Sequence, residues 1–236
     1  MDQIEEFVDE RQKAWCVHCG GWLANLRTNR DHIPSRNLLS SPLPENLPVM
    51  SVCADCNNGF SADEAYVVAF LSSVLSGSTE PDRQHSASAA RSLAKNAGLR
   101  ARIDASRSSY VTHGGETCLI WTPELERVER IAVKNARGHA FFEFGEPMLA
   151  DPTHVWCMPL SGLTESQRRD FEDVDPGNAW PEVGSRMMTR VLTGQDLEDA
   201  WVVVQDDVYR YAVVQNGTLR VRSVIWEYLA TEVYWE

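Results

Sequence analysis

Two Cys-x-x-Cys pairs, Cys16/Cys19 and Cys53/Cys56, stand near the start of this 236-residue chain with residues 20–52 between them. Four thiolates in two such pairs make the tetrahedral soft-ligand set that structural zinc prefers, and four cysteines leave no coordination position open for a reacting molecule. The segment between them needs a cross-link, because Pro34, Pro42, Pro44 and Pro48 forbid any long helix or strand before Cys53. A redox role for either pair requires a βαβ context that the flanking sequence lacks. One structural Zn²⁺ on Cys16, Cys19, Cys53 and Cys56 is therefore expected. The lone Cys118 and Cys157 read as small buried hydrophobes.

Hydrophobic residues make up 43% of the chain, enough for a sizeable core, yet no apolar run reaches the 18 or so residues of a membrane span. The opening "MDQIEEFVDERQKAW" is too acidic for a secretory or transit signal, so a cytoplasmic protein with no membrane contact is expected. Residues 3–13 look like a short amphipathic helix. After Cys56, "SADEAYVVAFLSSVL" has helical spacing, with Ser61 in the N-cap position and Glu64 three residues on. "GSTEPD" at 77–82 suggests a boundary, giving a zinc-stapled unit over 1–80 and a second domain over 81–236. The second domain should open with a helix ending at Gly98 and another over "PELERVERIAVKNAR", ending before Gly138. "HAFFEF", "HVWCMPL" and "AWVVVQ" have strand composition, and "YRYAVVQNGTLRVRSVIW" reads as a hairpin with a type I′ turn at Asn216-Gly217. The class is α+β, with an antiparallel sheet at the C-terminus. Trp201, Tyr209, Tyr211, Trp226 and Trp235 fall in these strand-like segments and read as core and cross-strand residues.

A net charge of −12 excludes a protein that coats nucleic acid indiscriminately. The charge is uneven: residues 1–80 carry five basic and eleven acidic side chains, residues 81–135 nine and six, residues 136–236 eight and seventeen. Arg91, Lys95 and Arg102 belong to the basic middle stretch and are candidates for contacts to a DNA backbone. The acidic last stretch would repel duplex DNA and suits a protein partner or a dimer contact.

Between the cysteine pairs lies "RDHIP", with Asp31 beside His32 and the flanking Arg30 and Arg36 able to hold phosphates. A phosphodiester hydrolase needs a water, a base near neutral pKa and positive charge for the departing oxygen, and an imidazole serves as that base. The run "CVHC", "RDHIP", "ENL" and "CADCNNGFSADEAY" resembles the HNH endonuclease family, with its ββα-metal active site, over about residues 14–70. The resemblance implies that His32 is the general base and that Asp31 and Asn57 hold a catalytic divalent ion. Asn46 would be the middle asparagine that positions the loop. Asn57 stands where the family name has its last histidine, and an amide oxygen beside a carboxylate suits Mg²⁺ or Mn²⁺. A metal-dependent DNA endonuclease is thus expected. The alternative is a non-catalytic zinc-binding module that recognises nucleic acid or protein, which the asparagine at position 57 and the acidic balance favour.

Overall fold

A computed structural model describes residues 12–45, 47–174, 181 and 183–236. The chain is mixed α+β, with six α-helices and a six-stranded antiparallel sheet among the described residues. In chain order the elements are β1 (Thr28–His32), β2 (Val49–Cys53), α1 (Ala54–Ser76), α2 (Ala87–Lys95), α3 (Ala97–Ala105), β3 (Arg107–Val111), β4 (Thr117–Trp121) and α4 (Leu125–Phe144). Then follow β5 (His154–Pro159), α5 (Glu165–Glu172), α6 (Arg186–Thr193), β6 (Leu197–Glu198), β7 (Trp201–Gln205), β8 (Tyr209–Gln215), β9 (Leu219–Ile225) and β10 (Leu229–Trp235). No helix among the described residues is long and apolar enough to cross a membrane.

The compact units are Met1–Gly59 with Ala132–Glu236, and Phe60–Ile131, so they do not follow a division between residues 80 and 81. The first unit joins the two cysteine pairs to the C-terminal sheet. There β1 and β2 pair antiparallel from Thr28↔Cys53 to His32↔Val49, and α1 starts at once behind Cys53. The large sheet has the order β5-β10-β9-β8-β7-β6, a meander closed on one side by β5. One cluster of its core gathers Leu160, Phe171, Trp201, Ala212, Val224 and Ala230. Tyr209, Tyr211 and Trp235 are also buried, as strand alternation predicts. The second unit holds most of α1, then α2, α3, the exposed β3–β4 ribbon and the start of α4.

Several local expectations are corrected. Helix α1 begins seven residues before Ser61, at Ala54, so Ser61 and Glu64 lie inside it and cap nothing. No helix ends at Gly98, which lies in the first turn of α3: the Asn96 N–H donates to the Ser92 carbonyl at 2.9 Å at the end of α2, and the Asn96 side chain accepts the Leu99 N–H of α3 at 2.9 Å. Helix α4 runs straight through Gly138, and "HAFFEF" is its last turn and a half, not a strand. All six of those side chains are buried, and a fully buried run carries no period to separate helix from strand. The β8–β9 turn spans three residues between Gln215 and Leu219, with only Gly217 at positive φ, so it is not type I′. Cys118 and Cys157 are half-buried, not core. The expected helix at 3–13 lies almost wholly outside the described residues.

Helix α4 meets the sheet through polar side chains. His139 stacks on Tyr211 at 3.6 Å between ring centroids and shares a 2.9 Å hydrogen bond with the Tyr209 hydroxyl. One turn on, the fully buried Glu143 accepts from the Tyr211 hydroxyl at 2.5 Å and from Arg190 Nε at 3.1 Å on both oxygens. Each buried charge thus has an opposite charge and hydrogen bonds, the condition under which burial is tolerated.

Candidate functional site

The first cysteine pair sits on a tight turn. Cys16 N–H donates to the Gly21 carbonyl at 2.8 Å and Gly20 N–H to the Cys16 carbonyl at 2.7 Å, with Gly20 at φ +68°, a conformation glycine adopts without strain. Trp15 and Trp22 close the turn edge to face at 4.7 Å. The second pair bridges the end of β2 and the first turn of α1, where the Cys56 N–H donates to Cys53 Sγ at 3.4 Å. Across the pairs, the Cys53 N–H donates to Cys16 Sγ at 3.5 Å.

All four sulfurs lie within 4.8 Å of one another, and Cys19 and Cys53 are 3.8 Å apart. Zinc–sulfur bonds of about 2.3 Å give a tetrahedron with edges of about 3.8 Å, so the four cysteines can hold a zinc ion. Burial raises the Cys16 thiol above its ordinary pKa, and burial with the adjacent sulfurs raises Cys56 further. A coordinated cation reverses that preference and deprotonates such thiols.

The "RDHIPS" residues divide by burial at the end of β1, where Pro34 is buried with its neighbours. Asp31, Ile33 and Ser35 are buried, whereas His32 between them is half-buried on the other side of the chain. The buried set faces α4. Lys134 Nζ lies 3.0 Å from each Asp31 carboxylate oxygen and donates to Ser35 Oγ at 2.8 Å. The neighbouring Asn135 side-chain oxygen accepts from the Ser35 N–H at 3.2 Å and from its hydroxyl at 3.4 Å. Ile33 lies over Gly138, where an added Cβ would meet three of its side-chain carbons at 3.0–3.3 Å. His18, from the first cysteine turn, brings Nε2 to 3.7 Å from Asp31.

Burial alone would raise the Asp31 carboxyl, but His18 and Lys134 hold it below the ordinary carboxylate value. Burial keeps His18 less basic than usual in spite of Asp31. His32 is also held below the ordinary imidazole value, first by burial and then by the positive charge of Arg36, with Arg30 adding to it. That shift favours the neutral ring, the state in which a ring nitrogen accepts a proton.

The Mg²⁺ or Mn²⁺ seat that the resemblance assigns to Asp31 and Asn57 does not fit this arrangement. A ligated Mg²⁺ sits about 2.0–2.1 Å from its oxygens, which would press a dication against an ammonium already 3.0 Å from both of them. Asn57 is half-buried in the first turn of α1. Asn46 lies outside the described residues. Arg30 and Arg36 are exposed on either side of His32, as the sequence suggests.

In the other unit Arg91 and Lys95 are exposed on α2, and Arg102 on α3 lies 3.7 Å from Glu124. Arg83, Arg100 and Arg107 instead line a groove of about 600 Å³, with Glu80 and Asp104 paired to the last two. The sequence reading missed Lys134, Asn135 and Gly138, which hold the Asp31–Ser35 turn from 99 or more positions away. No local signal marks them. No protein family, no curated protein and no solved structure matches the chain.

Proposed function

We propose that the chain is an endonuclease that hydrolyses DNA phosphodiester bonds, with His32 as general base and a structural zinc on the four cysteines. The observation that carries this is the half-buried His32 on β1, ahead of β2 and α1 and flanked by exposed Arg30 and Arg36, with burial and Arg36 favouring its neutral ring. The ring nitrogen takes a proton from water as the oxygen attacks phosphorus, the bond from phosphorus to the 3′-oxygen breaks, and that oxygen leaves with a proton from solvent. Arg30 and Arg36 meet the phosphate charge, and the exposed Arg91, Lys95 and Arg102 add backbone contacts. Asp31 is given no Mg²⁺ or Mn²⁺, because Lys134 holds it, and Asn57, in the first turn of α1, is given no role in the step.

A plasmid-nicking assay in Mg²⁺, Mn²⁺ or EDTA tests the activity. Wild type should convert supercoiled plasmid to open circle, and His32→Ala should lose this by roughly 10²–10⁴-fold, the usual worth of a positioned base. Equal nicking by both proteins would rule out His32.

The Asp31–Lys134 pair also favours a second function, a non-catalytic zinc-binding module that recognises nucleic acid or protein. Such a module would bind without nicking in any of the three conditions.

A further inference from the structure

We infer that Lys134 is the permanent countercharge of Asp31, and that Asp31 anchors the His32 turn instead of ligating a divalent ion. This deepens the nuclease proposal and rests on it for its catalytic consequence, while the ion pair itself rests on geometry alone. The ammonium is 3.0 Å from both carboxylate oxygens, so it fills the position from which a cation would bind them bidentately. Its bond to Ser35 Oγ directs a further proton away from solvent, and Lys134 is 3% exposed. A dication on Asp31 would leave two cations sharing one buried carboxylate, with the ammonium deprived of its charge partner.

Swinging the lysine aside would break its contacts to both Asp31 oxygens and to Ser35 in a buried site. It lies in the middle of α4, where the next residue, Asn135, bonds Ser35 and where Gly138, one turn on, lets Ile33 approach the helix. Asp31, Ile33 and Ser35 are therefore gripped in succession by Lys134, Gly138 and Asn135. His32, the residue between two gripped neighbours, is turned outward by this grip. Lys134 and Asn135 are positioning residues, and the charge facing a bound phosphate comes from side chains other than Asp31's partner.

Manganese binding and lysine protection test this on the zinc-loaded full chain without reference to nicking, so the nuclease proposal and this one fail separately. Mn²⁺ is titrated and the free ion followed by its electron paramagnetic resonance signal. Asp31→Asn should bind Mn²⁺ within twofold of wild type, and Lys134→Gln, which frees the carboxylate, at least tenfold more tightly. A tenfold loss of Mn²⁺ affinity in a folded Asp31→Asn protein overturns the inference. Should the variants fail to fold, wild type alone decides. Of its three lysines, Lys13, Lys95 and Lys134, the last should resist amine acylation equally with and without millimolar Mn²⁺. Acylation of Lys134 that appears only with Mn²⁺ means that the ion displaces the ammonium, and overturns the inference.

Discussion

Trp226 donates its indole N–H to the backbone carbonyl of Leu38 at 2.9 Å, tying the turn between β9 and β10 to the loop that follows His32. Trp226 and Glu227 both stand at positive φ, +55° and +44°, which costs a bulky side chain on the order of 1–3 kcal/mol. The end of β7 reaches the same loop. The Gln205 amide accepts from the Ser40 N–H at 2.8 Å and donates to the Ser40 and Pro42 carbonyls at 3.0 and 3.1 Å. Within this unit the C-terminal sheet holds the proline-rich loop in place.

Gln205→Leu removes all three of those bonds and should leave the sheet intact. Hydrogen exchange at the Ser40 amide should quicken by about fivefold, as expected for the loss of roughly 1 kcal/mol of local protection. Unchanged exchange at Ser40 would show that the loop is held by other contacts. Trp226→Phe should have a similar but smaller effect at Leu38 and Leu39.

Zinc removal should unfold the region around β1 and β2. Elemental analysis should find one zinc per chain, and Cys53→Ser or a strong chelator should abolish the protection of β1 and β2 amides, since structural zinc contributes on the order of 10 kcal/mol to small modules. A metal-free protein with unaltered exchange in β1 and β2 would remove the structural role.

These elements differ in how far the sequence foretold them. The four-cysteine cluster was legible because Cys-x-x-Cys spacing alone brings two sulfurs close enough to share one ion. Strands β7 to β9 were legible because β-branched and aromatic composition and the turn residues at 216–217 are local signals. Lys134, Asn135 and Gly138 were not, since their partners in 31–35 lie about a hundred positions away and nothing local distinguishes "VKNARG" from an exposed basic helix end. Glycine at 138 looked like a terminus, but its role is close approach of Ile33. The odd placement of Trp226 at positive φ was equally hidden, because it is sustained by a long-range bond to Leu38.

His139 should make stability fall in acid. Burial, reinforced by the positive charge of Arg190, lowers its pKa to about 3. Unfolded, the ring has a pKa near 6.5. Between those values the unfolded chain binds a proton that the native state refuses, so stability falls as the pH drops from about 6.5, by up to about 1.4 kcal/mol per unit. His139→Phe keeps the stack on Tyr211 and loses the titration. Its unfolding free energy, measured by urea between pH 6 and pH 4, should fall less steeply than that of wild type by close to one proton's worth. Parallel slopes would mean that the native state protonates His139 after all.

Gly138→Ala sets two opposing effects against each other. In an open helix interior the change favours folding by about 1 kcal/mol, because glycine is the poorer helix former. Here the new Cβ would lie 3.0, 3.2 and 3.3 Å from Cγ1, Cγ2 and Cδ1 of Ile33, a β-branched side chain that is 3% exposed. Ile33 is held on both sides, by Asp31 on Lys134 and Ser35 on Asn135, so it cannot retreat, and overpacking of this kind costs about 1–3 kcal/mol. The clash should win: Gly138→Ala should lower the urea midpoint, and Gly138→Ala/Ile33→Val, which removes one crowding methyl, should recover part of the loss. If His32 is the base, the single variant should also reduce nicking more than DNA binding, since pressure on Ile33 shifts the residue before it, the last of β1. A stabilised Gly138→Ala protein would show that β1 and α4 are less tightly opposed than these distances require.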